Sequence, residues 1–503
     1  MPNKKYIISL LIAFVSISYS YSQSINDEYA DYTKLDSITF ADYTNKNWEG
    51  VIHYGNIAIE NNIDYYYLRI RMGIAYFYLE KYLDAANNLQ KALKFNENDA
   101  LAQLYLYDTY IILGKNTKAY KLSKSFSSST MNLISKKRKL IEFIDIGGGY
   151  SLSNNYDLND KVYYNNNNDT LSGYQELIGD KSVFTIGANF NLSPSFSIYA
   201  GYTNLQIDKI YCSQYFEVPL KFDSVQNETW GYQNYYSPDT IQHHHTNKET
   251  IQQNEIYVNG KYQLSNGWAL TLFTNLIFVN SVNYTPRIDT VVLVDTNYQI
   301  TGQDPVLFEY DYYHLRFDRA DTSFLDFIAG FNIEKDFNNV TLNLFGTISS
   351  LNGAKQSQLG TSGFYYLNSN ASIYGNTQLT WFSQRQKQSN NDSRLIFTQK
   401  IGGKLLSKLW AEAEFGYGNL QNANINNGSI VFNQSDKTNC WGGVNLKLPL
   451  TKNIELNLYY KYIRYEGEFY LDIMQNTEQK NKQNTNSFNY QTQNIIGGLK
   501  WKF

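Results

Sequence analysis

The stretch that most constrains this chain is its last, Ser487 to Phe503. Ile495, Gly497, Leu499, Trp501 and Phe503 fall on one face of an extended strand, and Asn494, Ile496, Gly498, Lys500 and Lys502 on the other. Side chains in a strand alternate with period two, so one face is apolar and aromatic while the other is mostly polar or small. Termini are usually disordered unless something ties them down. A closed transmembrane barrel ties down its last strand, which must pair with the first to abolish the edges.

The ending also resembles the carboxy-terminal signal by which outer-membrane barrels are recognised for assembly. A glycine is followed by aromatic or apolar residues at alternate positions, here Gly498, Trp501 and Phe503; Ile496 stands where that signal usually has a polar residue. The resemblance implies two partners: outer-membrane lipid and the barrel assembly machinery.

Composition agrees with strands rather than helical membrane spans. The chain has 46 Tyr among 503 residues but only 7 Pro, and tyrosine suits membrane-interface belts, with its ring buried and its hydroxyl wet. No apolar run of about 18 residues follows the amino terminus, which excludes a helical membrane protein but not a barrel. A net charge of −3 gives no electrostatic reason to expect nucleic acid. Residues 1–22 read as a secretory signal: Lys4 and Lys5, an apolar centre from Ile7 to Ile17, then Ser20-Tyr21-Ser22 before Gln23. The apolar stretch is short for a membrane anchor. Cys212 and Cys440 are the only thiols. A disulfide is open to them in an oxidising envelope, but Cys440 shares parity with Val444, Leu446 and Leu448, which directs it to lipid, and two unpaired cysteines are expected.

Residues 24–130 have a helical texture, with apolar spacings of three and four. Self-similarity appears at a period of 34: Trp48 recurs as Tyr82, Ala58 as Ala92, Met72 as Leu106, Tyr76 as Tyr110, and Ala85 as Ala119. That period belongs to tetratricopeptide (TPR) helix pairs. In the central unit, Gly73 and Ala85 permit close helix approach, Tyr76 and Tyr82 fill the inter-helix space, and Leu89 and Ala92 pack on the next unit. Thr39 and Tyr107 hold the small-residue position of the flanking units. Such stacks form curved scaffolds that hold a peptide or protein, so a periplasmic protein is the expected partner. A rigid spacer is the alternative.

From about Leu140 the period switches to two, and residues 140–503 read as about 14 antiparallel strands, with 12 or 16 left open. Tight turns (Ser193-Pro194, Ser265-Asn266-Gly267, Asn368-Ser369-Asn370, Leu406-Ser407, Thr451-Lys452) alternate with longer polar loops at 153–180, 210–248, 286–320, 352–359, 385–391, 421–435 and 471–486. Short periplasmic turns and longer extracellular loops mark a bacterial barrel, and an even strand count returns both barrel ends to the periplasmic side. A soluble sandwich alternates too, but strands of about 12 to 16 residues exceed its usual length. The expected fold class is therefore α+β multidomain: an N-terminal helical TPR solenoid followed by a closed antiparallel transmembrane β-barrel.

Inside the barrel, the hairpin across Leu406-Ser407 places Lys400 near Glu414, with Lys404 and Glu412 close by. Opposite charges across strands contribute about 0.2–1 kcal/mol each. They read either as a solute-selecting constriction or as a structural ladder. His243-His244-His245 lies in a loop without cysteine or helical spacing, so no metal site is expected. Arg316, Asp318 and Arg319, in an aromatic and charged stretch at the outer mouth, suit a ligand such as a sugar or anion, or simply extend a strand. No nucleophile elbow, zinc-hydrolase motif or phosphate loop is present. No catalytic residue and no cofactor is expected.

The arrangement resembles outer-membrane barrels with periplasmic TPR repeats, including YaiO-type barrels and, more distantly, exopolysaccharide export porins. The resemblance implies a conduit for export or uptake of a solute or polymer, working with a periplasmic partner. The alternative is a non-conducting anchor displaying loops 210–248 and 286–320 for adhesion or complex assembly. Lumen filling discriminates them: an inward-folded loop with no continuous water path favours the anchor.

Overall fold

The computed structural model describes residues 31–134, 139–160, 173–217, 220–227, 231–238, 241–264, 267–297, 306–337, 339–367, 373–385, 392–406, 408–471 and 484–503. Residues 1–22, where a secretory signal is expected, and the turn residues Ser265, Asn266, Asn368 to Asn370 and Ser407, lie outside them. The chain divides into two compact units, Met1–Ser135 and Lys136–Phe503.

The first unit comprises helices α1 (Tyr32–Thr44), α2 (Trp48–Glu60), α3 (Tyr66–Tyr78), α4 (Tyr82–Phe95), α5 (Ala100–Ile112), α6 (Asn116–Ser123) and α7 (Ser128–Leu133). Their starts follow from local chemistry. Asp31, Asn47, Asp99 and Ser127 each accept a backbone N–H of the first turn, satisfying donors that a helix start leaves orphaned. The pairs then bury the repeat residues. Leu89 and Ala92 are fully buried in a core with Ile74, Leu106 and Ala119, and Ala85 is fully buried as well. Tyr76 packs against a second core of Leu35, Val51, Leu68 and Met72, and Tyr82 meets Phe77 edge-on at 5.7 Å. At Gly73 an added Cβ would stand 2.6 Å from Leu89 Cγ, so α3 and α4 approach as closely as they do only because that side chain is absent.

Two buried arginines tie the stack together. Arg69 forks onto Asp64, with both bonds at 2.7 Å, and reaches Asn88 at 2.8 Å. Arg71 bonds Asp36 at 2.7 Å and the Thr39 hydroxyl at 3.1 Å, joining α3 to α1. Burial pushes the Asp36 carboxyl up, but the Tyr65 hydroxyl and the Arg71 guanidinium together outweigh it and hold it below the ordinary value. Asp64 is also lowered, chiefly by its bonds to Arg69.

The second unit is a closed antiparallel barrel. In chain order its fourteen strands are β1 (Ile141–Ser153), β2 (Gly173–Ser193), β3 (Phe196–Glu217), β6 (Ile241–Gln263), β7 (Trp268–Asn297), β8 (Val306–Asp336), β9 (Val340–Ser349), β10 (Lys355–Tyr366), β11 (Ile373–Arg385), β12 (Asp392–Lys404), β13 (Trp410–Tyr417), β16 (Lys437–Pro449), β17 (Ile454–Leu471) and β18 (Asn484–Lys502). Each pairs with its sequence neighbour, and β1 closes on β18 with Gly147 opposite Gly498 and Phe143 opposite Lys502. Two further hairpins stand apart from the wall: β4 (Leu220–Asn227) with β5 (Gly231–Pro238), and β14 (Asn424–Ile425) with β15 (Ile430–Val431).

The outer face carries a broad apolar band. Leu342, Leu344, Leu379, Trp381, Leu395, Ile401, Phe415, Ile495, Leu499 and Trp501 are all exposed. A closed barrel with this surface satisfies every wall hydrogen bond while facing hydrocarbon, which is the architecture of an outer-membrane barrel. Cys440 lies opposite Tyr417 and Arg464, on that outward parity, while Cys212 is buried; both are free.

Two sequence expectations need correction. Stretches 210–248 and 286–320 are not loops over most of their length, because β3 continues to Glu217, β6 begins at Ile241, β7 runs to Asn297 and β8 starts at Val306. A membrane crossing needs only about 9–11 strand residues, so β7 and β8, at 30 and 31 residues, project far beyond it as a paired ribbon. Period-two counting did not extend the strands into that ribbon, because its runs at Val291 to Val294 and Val306 to Phe308 are continuous rather than alternating. The second correction concerns 421–435, which is no solvated outer loop. It folds inward.

Candidate functional site in the barrel lumen

Residues 418–436, between β13 and β16, hang from the long-hairpin end and cross the lumen to the opposite wall. Left-handed backbone at Asn422, Asn426, Asn427 and Gly428 turns the segment back on itself, a conformation asparagine and glycine tolerate best. The contacts are mostly polar. Tyr257 of β6 donates to the Asn427 carbonyl at 3.0 Å, and Asn275 of β7 to the Gly428 carbonyl at 3.1 Å. Gln358 of β10 exchanges bonds with the Asn424 backbone. Gln384 of β11 accepts from Asn422 at 3.0 Å, and Arg394 of β12 holds the Asn419 carbonyl at 2.8 Å.

Leu420, Ala423 and Phe432 of the same segment join a core of Leu177, Ile210, Cys212, Trp441, Tyr465, Phe469, Phe488 and Tyr490. This core fills the long-hairpin end of the lumen. The far end of β2 leans over to complete it, pairing Gln175 with Phe469 and Gly173 with Leu471 of β17, beyond the point where β16 begins.

The charged residues meet in one register row. Lys400 of β12 stands opposite Glu414 of β13, Glu414 opposite Gly443 of β16, and Gly443 opposite Lys461 of β17. Gly443 has no side chain to intervene, so Lys461 reaches over β16. Glu414 therefore takes Lys400 at 3.2 Å, Lys461 at 3.5 Å and the Trp441 indole N–H at 2.9 Å. Glu412 instead faces Gly402 and accepts from the Tyr374 hydroxyl at 3.0 Å. Lys404 stands opposite Trp410, not opposite Glu412.

Lys461 and the 418–436 segment escaped the sequence reading. The lysine was visible at inward parity, but its partner lies two strands away in space. The segment's signal was its embedded Leu420, Ala423, Ile425, Ile430, Val431 and Phe432, which a solvated loop has no reason to carry.

The segment and the wall line a chamber of about 940 Å³, reaching Lys181, Val183, Leu205, Ile251, Glu414 and Lys461. A second cavity of about 380 Å³ lies on the other side of the Asn424–Asn427 turn, against polar residues of β8 to β11. The mouth residues named by sequence lie on β8. Asp318 is 3.8 Å from Arg287 of β7, and Arg319 pairs with Glu249 at 3.1 Å and Asp321 at 3.0 Å. The Arg316 side chain lies outside the described atoms. His244 and His245 are exposed on β6, and among the described residues no three His, Cys, Asp or Glu side chains cluster as a metal site. Gly498, Trp501 and Phe503 sit at the closing seam, with Trp501 and Phe503 stacked at 5.7 Å.

Strand closure, outer band and helical unit together define the class: an outer-membrane β-barrel preceded by TPR-like helices. No family model and no curated protein matches the chain. Among solved structures, it is similar to the Pseudomonas putida toluene transporter TodX at 8% identity, covering 72% of this chain and 90% of that one, with a TM-score of 0.39. It is also similar to a Pseudomonas aeruginosa FadL homologue at 9% identity, over 74% and 92%, TM-score 0.36. The helical part is similar to the Arabidopsis OM64 TPR domain at 16% identity, over 21% of this chain and 85% of that one, TM-score 0.18. The class itself rests on the strand pairing and the helix packing.

Proposed function

We propose that this protein is a gated outer-membrane conduit of the YaiO type, closed at rest by the 418–436 segment, whose repeats dock a periplasmic protein. The observation that carries this reading is the chamber of about 940 Å³ behind that segment. Protein interiors are close-packed, and cavities of about 300–1,000 Å³ are those that hold ligands. A plain anchor gains nothing from leaving one open beside a cluster of charges. The segment's tip is fixed mainly by amide and carbonyl hydrogen bonds, each worth about 0.5–1.5 kcal/mol net, which water can replace. Its release does not require the wall to open.

Orientation supports the same reading. β1 begins and β18 ends beside the tight turns, the periplasmic side of bacterial barrels, and the helical unit precedes β1. Phe40 and Tyr67, exposed on α1 and α3, flank the Arg71 guanidinium at 5.1 and 5.9 Å, an aromatic face suited to a protein partner. Gly498, Trp501 and Phe503 serve assembly, and the charge row holds the lumen wall in register. The reading is non-enzymatic.

A non-conducting anchor is the second reading, favoured by the filled lumen end and the projecting β7–β8 ribbon. Conductance of the full chain in planar bilayers separates the two. Wild type is expected to be nearly silent, and a variant with 420–434 replaced by a short Gly-Ser linker to show stepwise current. A linker variant that still shifts on heating in gels but carries no current removes the conduit.

A further inference from the structure

The chamber has two unlike walls. Inward positions of a transmembrane barrel are normally polar, yet β2, β3, β6 and β7 present a contiguous aliphatic patch. Val183 stands directly opposite Leu205, Ile207 directly opposite Ile251, and Val279 beside them across Gln253. Ile425 and Val431 of the 418–436 segment pack against the clusters that hold Ile207 and Val279, and line the chamber together with the patch. At its edge, opposite Ile207, stands Lys181.

The chamber's carboxylates are all engaged. Glu176 pairs with Lys209 at 2.8 Å, Glu255 accepts from Gln253 and Asn275 at 2.8 Å each, Glu412 has Tyr374, and Glu414 is shared by Lys400 and Lys461. Asp436, on the segment near Lys181, is taken by the Tyr490 hydroxyl at 2.6 Å and by Ser435 at 3.2 Å. Lys181 differs. Among the described residues its ammonium makes no ion pair within 4 Å and no hydrogen bond; it has the face of Tyr465 at 5.6 Å and the charge of Asp436 in its neighbourhood.

An ammonium lining a cavity needs acceptors, and an aliphatic patch needs apolar cover. The geometry points to an amphiphile with one apolar chain and an anionic head as the chamber's ligand, its chain on Val183, Leu205, Ile207, Ile251 and Val279 and its head on Lys181. This deepens the conduit reading and rests on its view of the chamber as a ligand site.

The test uses the full chain in lipid nanodiscs, with empty nanodiscs subtracted, and radiolabelled dodecyl phosphate as probe. Saturable binding is expected. Lys181→Met weakens it at least about tenfold, the loss of one charge-assisted contact, whereas Lys181→Arg retains it. Ile207→Asn weakens both dodecyl phosphate and uncharged dodecanol, while Lys181→Met leaves dodecanol unchanged. Heat-shifted gel migration of each variant shows that its barrel has closed. Three results overturn the proposal: Lys181→Met binding dodecyl phosphate like wild type, inorganic phosphate competing as well as dodecyl phosphate, or dodecyltrimethylammonium binding equally. Saturable binding together with a silent linker variant leaves the ligand site standing and removes the conduit. Current through that variant without binding does the reverse.

Discussion

The helical unit and the barrel use the same apolar residues in opposite directions. In the helices, Leu68 and Leu89 are 0% exposed; on the barrel, Leu395 is 60% and Ile401 55% exposed. Leucine in the first unit leaves water by packing on other side chains, and in the second by facing lipid. The barrel wall instead holds together through its closed hydrogen-bond ladder. Burial alone therefore says nothing of a residue's worth here until its solvent is known.

That contrast can be broken by exchanging the substitutions. The largest effect is expected at Leu89→Ala, which opens a cavity in the helical core at about 2–5 kcal/mol. Limited proteolysis of the full chain should then cut within residues 31–134 while the heat shift of the barrel persists. Ile401→Ala, on the lipid face, should change neither readout. Ile401→Arg comes next, at about 2–4 kcal/mol near the membrane midplane, with loss of folded barrel on gels and helices still protected. Equal tolerance of alanine and arginine at 401 would mean that this face does not meet hydrocarbon. Ala85→Trp should follow, overpacking α3 against α4 at about 1–3 kcal/mol and reducing capture of the periplasmic partner, again without touching the barrel.

The smallest effect is set by pH. Asp36 and Asp64 have folded values held below the ordinary 3.8, so their stabilisation is complete above about pH 4 and is lost as pH falls through those lower values. Asp84, which burial pushes up, works against them. Protease protection of the helices should fall below about pH 4 in wild type and fall less in an Asp36→Asn, Asp64→Asn double variant. The barrel, closed by backbone pairing, should not share the change. A barrel that opened over the same range would sink the contrast.

Much of the fold was legible in particular residues. Alternation from Leu140 onward marked about fourteen strands, because each must show lipid one face, and the hairpin around Leu406-Ser407 put Lys400 near Glu414, although only the observed pairing sets them directly opposite. The repeat period revealed the helix pairs through Gly73, Ala85 and Ala92, positions where close approach admits only small side chains. The β7–β8 ribbon was less legible, since its apolar runs are continuous and carry no alternating period to count.

Sequence by itself thus determined whatever depends on local period: helix pairs, strand parity, and which strands a tight turn makes neighbours. Tertiary structure alone decided what meets inside. Lys461 finds Glu414 only because Gly443 lies between them in the closed wall. The 418–436 segment fills the lumen only because β6 and β7, far away in sequence, offer Tyr257 and Asn275 to its carbonyls. Barrel closure brings such residues together across distances that no local pattern records.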